Sequence, residues 1–132
     1  MKYEVKRHDN PLVIGEVVSK RVTLEYTSGD IADYVAGRLL KIATATTGTM
    51  TFWGGSEDTD EPCAVLAQNL SSADFDETAT EMVVTVYYGC RVDYDRVIEA
   101  NPDAVPAGSE ALWGGICAKA MTQGLNIYKL NA

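Results

Sequence analysis

The sequence has little of what catalytic and metal sites use most. Its one histidine, His8, lies in a charged stretch, and its three cysteines, Cys63, Cys90 and Cys117, form no C-x-x-C pair. A Ser-His-Asp or Cys-His arrangement needs a positioned histidine, and a zinc site needs closely spaced cysteine or histidine ligands. The G-x-S-x-G, G-x-G-x-x-G, P-loop and H-E-x-x-H motifs are also missing. We therefore expect a protein that is not an enzyme, holds no cofactor or metal, and uses its cysteines as small apolar residues.

Long apolar runs are missing too. Stretches such as residues 82–84 are far shorter than the roughly 20 residues of a membrane-spanning helix. The first seven residues carry charge where a signal peptide would begin its apolar run. With 132 residues, 46% hydrophobic and 23% charged, the chain has the composition of one globular domain. The sequence predicts synthesis in the cytoplasm and no contact with a membrane.

Positive charge is scarce and unevenly placed. The net charge of −8 disfavours binding to nucleic acid, because an acidic surface repels phosphate. Residues 1–28 hold five basic and four acidic side chains, whereas residues 29–132 hold six basic and fifteen acidic ones. This contrast predicts that residues 1–28 and residues 29–132 are different kinds of segment.

Apolar residues in the first segment alternate with polar ones. Val22, Leu24 and Tyr26 have the period-two spacing of a half-exposed strand. Such a segment is either an edge strand of the domain or an arm that orders by adding a strand to the sheet of a partner. The apolar residues of the candidate arm are Leu12, Val13, Ile14, Val17, Val18, Val22, Leu24 and Tyr26.

Residues 29–132 have the pattern of several short strands and two helices. Gly48 marks a hairpin tip, and residues 82–88 are apolar at nearly every position, as in a central strand. Asp93 is placed to cap a first helix, and a second helix is expected between Ser109 and Gly124. The remaining strands are predicted at 39–42, 50–53, 63–70 and 127–130. The predicted fold class is mainly β with one or two short α-helices, that is, α+β.

The loop at 57–61 is the one candidate metal site. Glu57, Asp58, Asp60 and Glu61 offer the hard oxygen ligands that calcium prefers. Their spacing is not that of an EF-hand loop, and Pro62 follows directly. A solvated acidic loop is the favoured interpretation, so we predict no metal here.

Two tryptophans stand beside glycine pairs, Trp53 before residues 54–55 and Trp113 before residues 114–115. The ordinary expectation is core packing, with the indole N–H donated to a carbonyl. The alternative is exposure at a subunit interface, which makes both tryptophans candidate trimer-interface residues. Trp113 shares one helical face with Ile116 and Met121.

The order of these elements resembles the head decoration proteins of tailed bacteriophages, the lambda-type capsid-stabilising family. The resemblance consists of the segment at 36–42, a polar hairpin, the apolar segment at 63–70, and the valine-rich segment at 82–91. An alanine-containing helix and a short strand follow over 111–130. It covers residues 30–132 in arrangement and depends on order and length, with no single diagnostic motif.

The resemblance implies a β-clip-like body, residues 29–132, with residues 1–28 as an extended N-terminal arm that binds the capsid. It further implies a homotrimer on the outer surface of the expanded head in the virion, with the major capsid protein as partner and head stabilisation as function. Two alternatives stay open. One is another virion part, such as a head-fibre base or tail connector, and the other is a trimeric β-fold nucleotide hydrolase.

Overall fold

A computed structural model describes residues 11–55, 58–104 and 110–129, which form eight strands, two α-helices and two short 3-10 helices, Ser28–Asp30 and Ser72–Asp74. The strands are β1 (Val13–Ile14), β2 (Ser19–Glu25), β3 (Leu39–Thr44), β4 (Thr49–Phe52), β5 (Ala64–Leu66), β6 (Glu81–Tyr88), β7 (Arg91–Asp93) and β8 (Asn126–Tyr128). The α-helices are α1 (Tyr94–Ala100) and α2 (Glu110–Thr122). The prediction of a mainly β, α+β fold with two short helices is confirmed. Within the described ranges, no helix has the length and apolar character of a membrane span.

Five strands close into a small barrel in the order β2-β4-β3-β5-β6. β2 and β6 pair antiparallel along their whole shared length. β2 and β4 pair in parallel at two positions, Leu24 with Met50 and Glu25 with Thr51. The barrel interior is filled by apolar side chains, which include Val22, Leu24, Leu40, Phe52, Leu66, Phe75, Val84 and Val86.

The strands β1, β7 and β8 form a second, three-stranded sheet. β7 lies in its centre, antiparallel to β1 and parallel to β8. α2 packs against this sheet and closes a second apolar cluster. Leu39 and Val65 belong to barrel strands and are also members of that second cluster. The barrel and the three-stranded sheet therefore pack against each other through β3 and β5. The other buried members of the second cluster include Val92, Val97, Trp113, Ile116, Ala120, Leu125 and Ile127.

The predicted turn and cap signals are confirmed. Gly48 has a φ of 72° in the turn between β3 and β4, a backbone region that favours glycine. The Asp93 side chain accepts the backbone N–H of Arg96, 3.0 Å away, and so caps α1. Gly124 follows directly on the last turn of α2. Ser109, the predicted cap of the second helix, lies outside the described residues.

The strand predicted at 63–70 is shorter in the structure. The paired register with β6 ends at Leu66, opposite Val86, and one further backbone hydrogen bond runs from the Ala67 N–H to the carbonyl of Thr85 at 2.9 Å. Beyond that point the Gln68 side-chain oxygen accepts the N–H of Thr85 at 2.8 Å, in the place where a strand carbonyl would continue the ladder. A side chain that substitutes for the backbone therefore ends β5 early.

β6 pairs with β2 on one side and with β5 on the other, as predicted for a central strand, but only one of its two faces is buried. Val84 and Val86 are fully buried inside the barrel, whereas Val83 is 52% exposed on the outside. A barrel of this kind buries the inner face of each strand and leaves the outer face uncovered where no helix packs on it. A run of valines does not distinguish these two faces.

The separation into an arm of residues 1–28 and a domain of residues 29–132 is wrong for the described part of that arm. β1 pairs with β7, and β2 is a barrel strand paired with β6. The period-two alternation at 22–26 indicates a strand with one face buried in a hydrophobic core. In this structure that core is formed by the same chain. Residues 1–10 lie outside the described residues. Of the candidate arm residues, Leu12, Val13, Val22, Leu24 and Tyr26 are buried, Ile14 and Val18 are half-buried, and Val17 is exposed.

Trp53 and Trp113 lie in the core, which corrects their assignment as candidate trimer-interface residues. Their exposed fractions are 1% and 4%. The Trp53 indole N–H donates to the carbonyl of Asp60 at 3.0 Å, and the Trp113 ring meets Tyr94 edge to face. The exposed residue on the predicted apolar face of α2 is instead Met121, at 59%.

Because Leu24 is fully buried, replacing it should destabilise the barrel rather than affect a partner contact. We expect Leu24→Ala to lower the free energy of unfolding by about 2–5 kcal/mol, the range for a buried leucine. Val17→Ala, in the same segment but exposed, should change it by less than about 0.5 kcal/mol. Urea denaturation followed by circular dichroism measures both. Equal stability of the two variants would contradict the placement of β2 in the core.

Candidate functional site

The acidic loop is fastened to the barrel by Lys41 of β3. The Lys41 Nζ lies 2.8 Å from one carboxylate oxygen of Asp58 and 3.0 Å from one of Asp60. Asp58 also accepts the backbone N–H groups of Gly54 and Asp60, at 2.8 and 2.9 Å. Burial raises the pKa of the Asp58 carboxyl, but these hydrogen bonds outweigh it and leave the pKa below its ordinary value. The hydrogen bond to Asp58 raises the pKa of Lys41 in turn.

The lysine ammonium therefore lies where the candidate metal site would place a cation. Asp58 and Asp60 face Lys41, Glu61 is exposed, and Glu57 lies outside the described residues. In the part of the chain that the structure describes, no three histidine, cysteine or acidic side chains come together as metal ligands would. The three cysteines are free, and burial raises the pKa of each thiol.

A buried asparagine holds the start of β3 against the end of α1. Asn101 is 2% exposed, and its Oδ1 accepts the N–H of Leu39 at 3.0 Å. Its Nδ2 donates to the carbonyls of Gly37 and Val97, at 3.1 and 2.7 Å. The side-chain amide thus satisfies backbone groups of two elements at once, and Arg38, between two of its partners, is held in place.

The close approach of these two elements requires glycine at position 37. Gly37 has a φ of +109°, which L side chains rarely adopt. A Cβ there would lie 3.0 Å from the Cβ of Ala100 and 3.3 Å from the carbonyl oxygen of Arg96. The turn before β3 therefore packs directly on α1.

The Arg38 side chain lies over two stacked aromatic rings. Its Cζ is 5.3 Å from the centroid of Tyr34 and 6.0 Å from that of Phe52, and the two rings stack 4.2 Å apart. Burial lowers the pKa of the guanidinium, and the electrostatic influence of Tyr34, Asp103 and Asp30 opposes this effect. The Arg38 Nε is buried and has no hydrogen-bond partner among the described residues.

Arg38 lines a groove of about 350 Å³ between residues 32–38 and the end of α1. We call it the Arg38 groove. Its three carboxylates are exposed, as are Val35 and Pro102, whereas Arg38 itself is half-buried. None of the described residues that line it is a histidine, cysteine or serine. Its lining includes Asp33, Val35, Arg38, Glu99, Pro102 and Asp103.

The chemistry of this groove suits binding. One guanidinium offers directed donors for an oxyanion, and the surrounding carboxylates offer acceptors for cations. Asp33 already accepts the N–H of Ser72 at 2.8 Å. No nucleophile is paired with a base among the lining residues that the structure describes, as covalent or general-base catalysis would need.

Neither protein-family models nor curated proteins match the chain. The function proposed below therefore depends on the geometry of the site and on the order of elements in the sequence.

A second groove, of about 430 Å³, lies at one end of the barrel and is acidic. Glu25 and Glu81 lie directly opposite each other on β2 and β6, and Asp30 joins them in the lining. Like charges in opposite positions repel each other across a strand pair. The described lining holds no basic side chain, so an anionic ligand is disfavoured there.

Sequence reasoning did not identify Arg38 or Asn101 as site residues. Arg38 is part of the segment at 36–42 that carries the resemblance, and Asn101 precedes Pro102, where a helix is expected to end. One charged residue before two leucines, as in residues 38–40, is by itself a weak sequence signal for a binding site. Part of what gives both residues their roles comes from distant parts of the chain, since Asn101 bonds to Gly37 and Leu39, and Arg38 lies over Phe52.

Removing the Asp58 charge should destabilise the protein at neutral pH and not in acid. The folded-state pKa of Asp58 lies below its unfolded value, so its contribution is present above the unfolded pKa of about 4 and lost as the pH falls through the folded pKa. We expect Asp58→Asn to lower Tm by several degrees at pH 7. The difference from wild type should shrink below pH ~4. Glu77→Gln, in an exposed loop, is the control and should match wild type throughout; a pH-independent deficit for Asp58→Asn would contradict the ion pair with Lys41.

Asn101→Asp should be strongly destabilising at neutral pH. The new carboxylate still accepts the N–H of Leu39, but it faces the carbonyls of Gly37 and Val97 without donors and is buried. We expect a loss of about 3 kcal/mol or more at pH 7. Burial raises the pKa of such a carboxyl, so part of the loss should be recovered as the pH falls and the group is protonated. Asn69→Asp is the control, since exposed Asn69 uses only its oxygen, to accept the N–H of Ala36. Similar Tm losses for the two variants would refute the proposed role of Asn101.

Proposed function

We propose that the protein is a structural binding protein that decorates the outer surface of a tailed-bacteriophage head. The partner would be the major capsid protein, and the effect would be stabilisation of the expanded lattice. The order of elements in the sequence supports this proposal. The observation that carries it in the structure is the Arg38 groove, an exposed surface with the chemistry of recognition, built on a rigid asparagine-held frame.

The contact with the capsid is proposed for the surface of the body. Five of the eight apolar residues at 12–26 are buried in the core, Ile14 and Val18 are half-buried, and Val17 is exposed. A ligand that binds the assembled lattice and not the free subunits stabilises it by RT ln(1 + [L]/Kd), about 2.7 kcal/mol per site at 100 times Kd. Binding of this kind needs shape and charge complementarity but no chemical step.

A homotrimer is proposed together with this function, because three linked sites bind with greater avidity than one. Trp53 and Trp113 are buried within the chain and are not available for its interface. Leu112 and Met121 of α2 are exposed by 44% and 59%. These side chains offer the apolar contact that an interface core uses.

Purified protein mixed with undecorated expanded heads should bind and form regular protrusions. We expect saturable co-sedimentation, protrusions at symmetry-related positions in electron micrographs, and a higher melting temperature of the heads. Unexpanded heads of the same phage are the control and should bind far less, because the proposed site exists only in the expanded lattice. Failure to bind expanded heads at tens of micromolar protein, or equal binding to both kinds of head, would overturn the proposal.

A further inference from the structure

We infer that the Arg38 groove binds a protein segment that presents one aspartate or glutamate carboxylate between basic side chains. This inference deepens the proposed function by naming the chemistry of the partner segment, and its setting on a phage head depends on that function. The inference depends on the contacts of Arg38, the charges around it and the size of the groove.

The Arg38 guanidinium is in direct contact with no carboxylate among the residues that the structure describes. It is half-buried, its Nε is unbonded among the described residues, and Asp30 and Asp103 act on it through space. A guanidinium that has lost water without gaining a carboxylate has more to gain from an incoming anion than a fully solvated lysine. Two parallel N–H donors match the two oxygens of a carboxylate.

Arg38 is held in position by its backbone hydrogen bonds and by two aromatic rings before any ligand binds. Its carbonyl accepts the N–H of Leu66 at 2.9 Å, and its N–H donates to the carbonyl of Val35 at 3.2 Å. Its side chain lies on the rings of Tyr34 and Phe52. A preorganised cation loses little conformational entropy on binding.

The acidic side chains around Arg38 favour basic residues on either side of the ligand carboxylate. Asp33, Glu99 and Asp103 line the same groove and are exposed, on a protein with a net charge of −8. These three carboxylates would repel a doubly charged phosphate. A segment with one carboxylate between lysine or arginine residues is attracted twice, because its carboxylate meets Arg38 and its basic side chains meet the groove carboxylates. Val35, 49% exposed, and Pro102 offer apolar contact to the methylene stems of those basic residues.

The Arg38 groove and the groove next to it together have the space that an extended peptide segment needs. A smaller groove of about 240 Å³ shares Val35 and Glu99 with the Arg38 groove and continues past Ala36, Asn69 and Arg96. The two together follow the surface between residues 32–38 and α1. A peptide can therefore place its carboxylate at Arg38 and a neighbouring residue in the adjoining groove.

The test uses full-length protein and blocked pentapeptides as probes, followed by backbone amide shifts in NMR titrations. Acetyl-Lys-Gly-Glu-Gly-Lys-amide should bind in the millimolar range and shift amides at 32–38 and 99–103. The same peptide with glutamine in place of glutamate should bind about tenfold more weakly or worse, since the charged hydrogen bonds are lost. Equal binding of the two peptides, shifts confined to other surfaces, or stronger binding of inorganic phosphate would overturn the inference.

Arg38→Met separates binding from a structural role, because methionine keeps an unbranched apolar stem on the two rings and removes the charge. We expect peptide affinity to fall about tenfold or more. Tm should be unchanged or higher, since a half-buried charge without a contacting partner is removed. Arg21→Met, on the outside of β2, makes the same change in net charge and should retain wild-type affinity. A lower Tm with unchanged affinity in Arg38→Met would show a structural residue and refute the inference.

Binding of these variants to expanded heads distinguishes the inference from the proposed function. If wild type and Arg21→Met decorate heads and Arg38→Met does not, both are supported. If Arg38→Met decorates heads as well as wild type, the proposed function stands and the inference about the groove is refuted. If wild type fails to bind heads, the proposed function falls, and the peptide titration still decides the inference.

Discussion

The side-chain amide of Asn101 is the contact on which both the architecture and the candidate site depend. It joins Gly37 and Leu39, at the start of β3, to Val97 in α1 through three short hydrogen bonds in a buried setting. Barrel and second sheet meet along this line, because Leu39 packs in the second cluster and Leu40 inside the barrel. An apolar side chain of the same size would leave three backbone groups without partners, at a cost well above that of one lost hydrogen bond.

The same frame explains how the protein keeps a poorly solvated cation on its surface. Arg38 lies between Gly37 and Leu39, the two residues that Asn101 holds, so its backbone is fixed on both sides. The aromatic rings of Tyr34 and Phe52 offset part of the lost hydration through their negative faces.

Sequence reasoning succeeded where the signal is local and failed where it depends on a distant partner. The Gly48 turn, the Asp93 cap and the fold class follow from residues within a few positions of each other. The alternation at 22–26 correctly indicated a strand, but nothing in it says whether its buried face packs on the same chain or on another. The candidate site escaped prediction for the same reason, since two of the three partners of Asn101 are 62 and 64 residues away.

The pairing of the first strands has a consequence for how the chain folds during synthesis. Val13 of β1 pairs with Val92, and Ser19 of β2 pairs with Tyr87, so neither strand has its main partner until much later residues leave the ribosome. Loop-closure entropy must be overcome before these non-local contacts contribute, which slows folding. Until then the nascent chain exposes the unpaired edge and apolar face of β2, the conditions under which strands associate with the wrong neighbour. Misassociation therefore competes with folding in the interval between the emergence of β2 and that of β6.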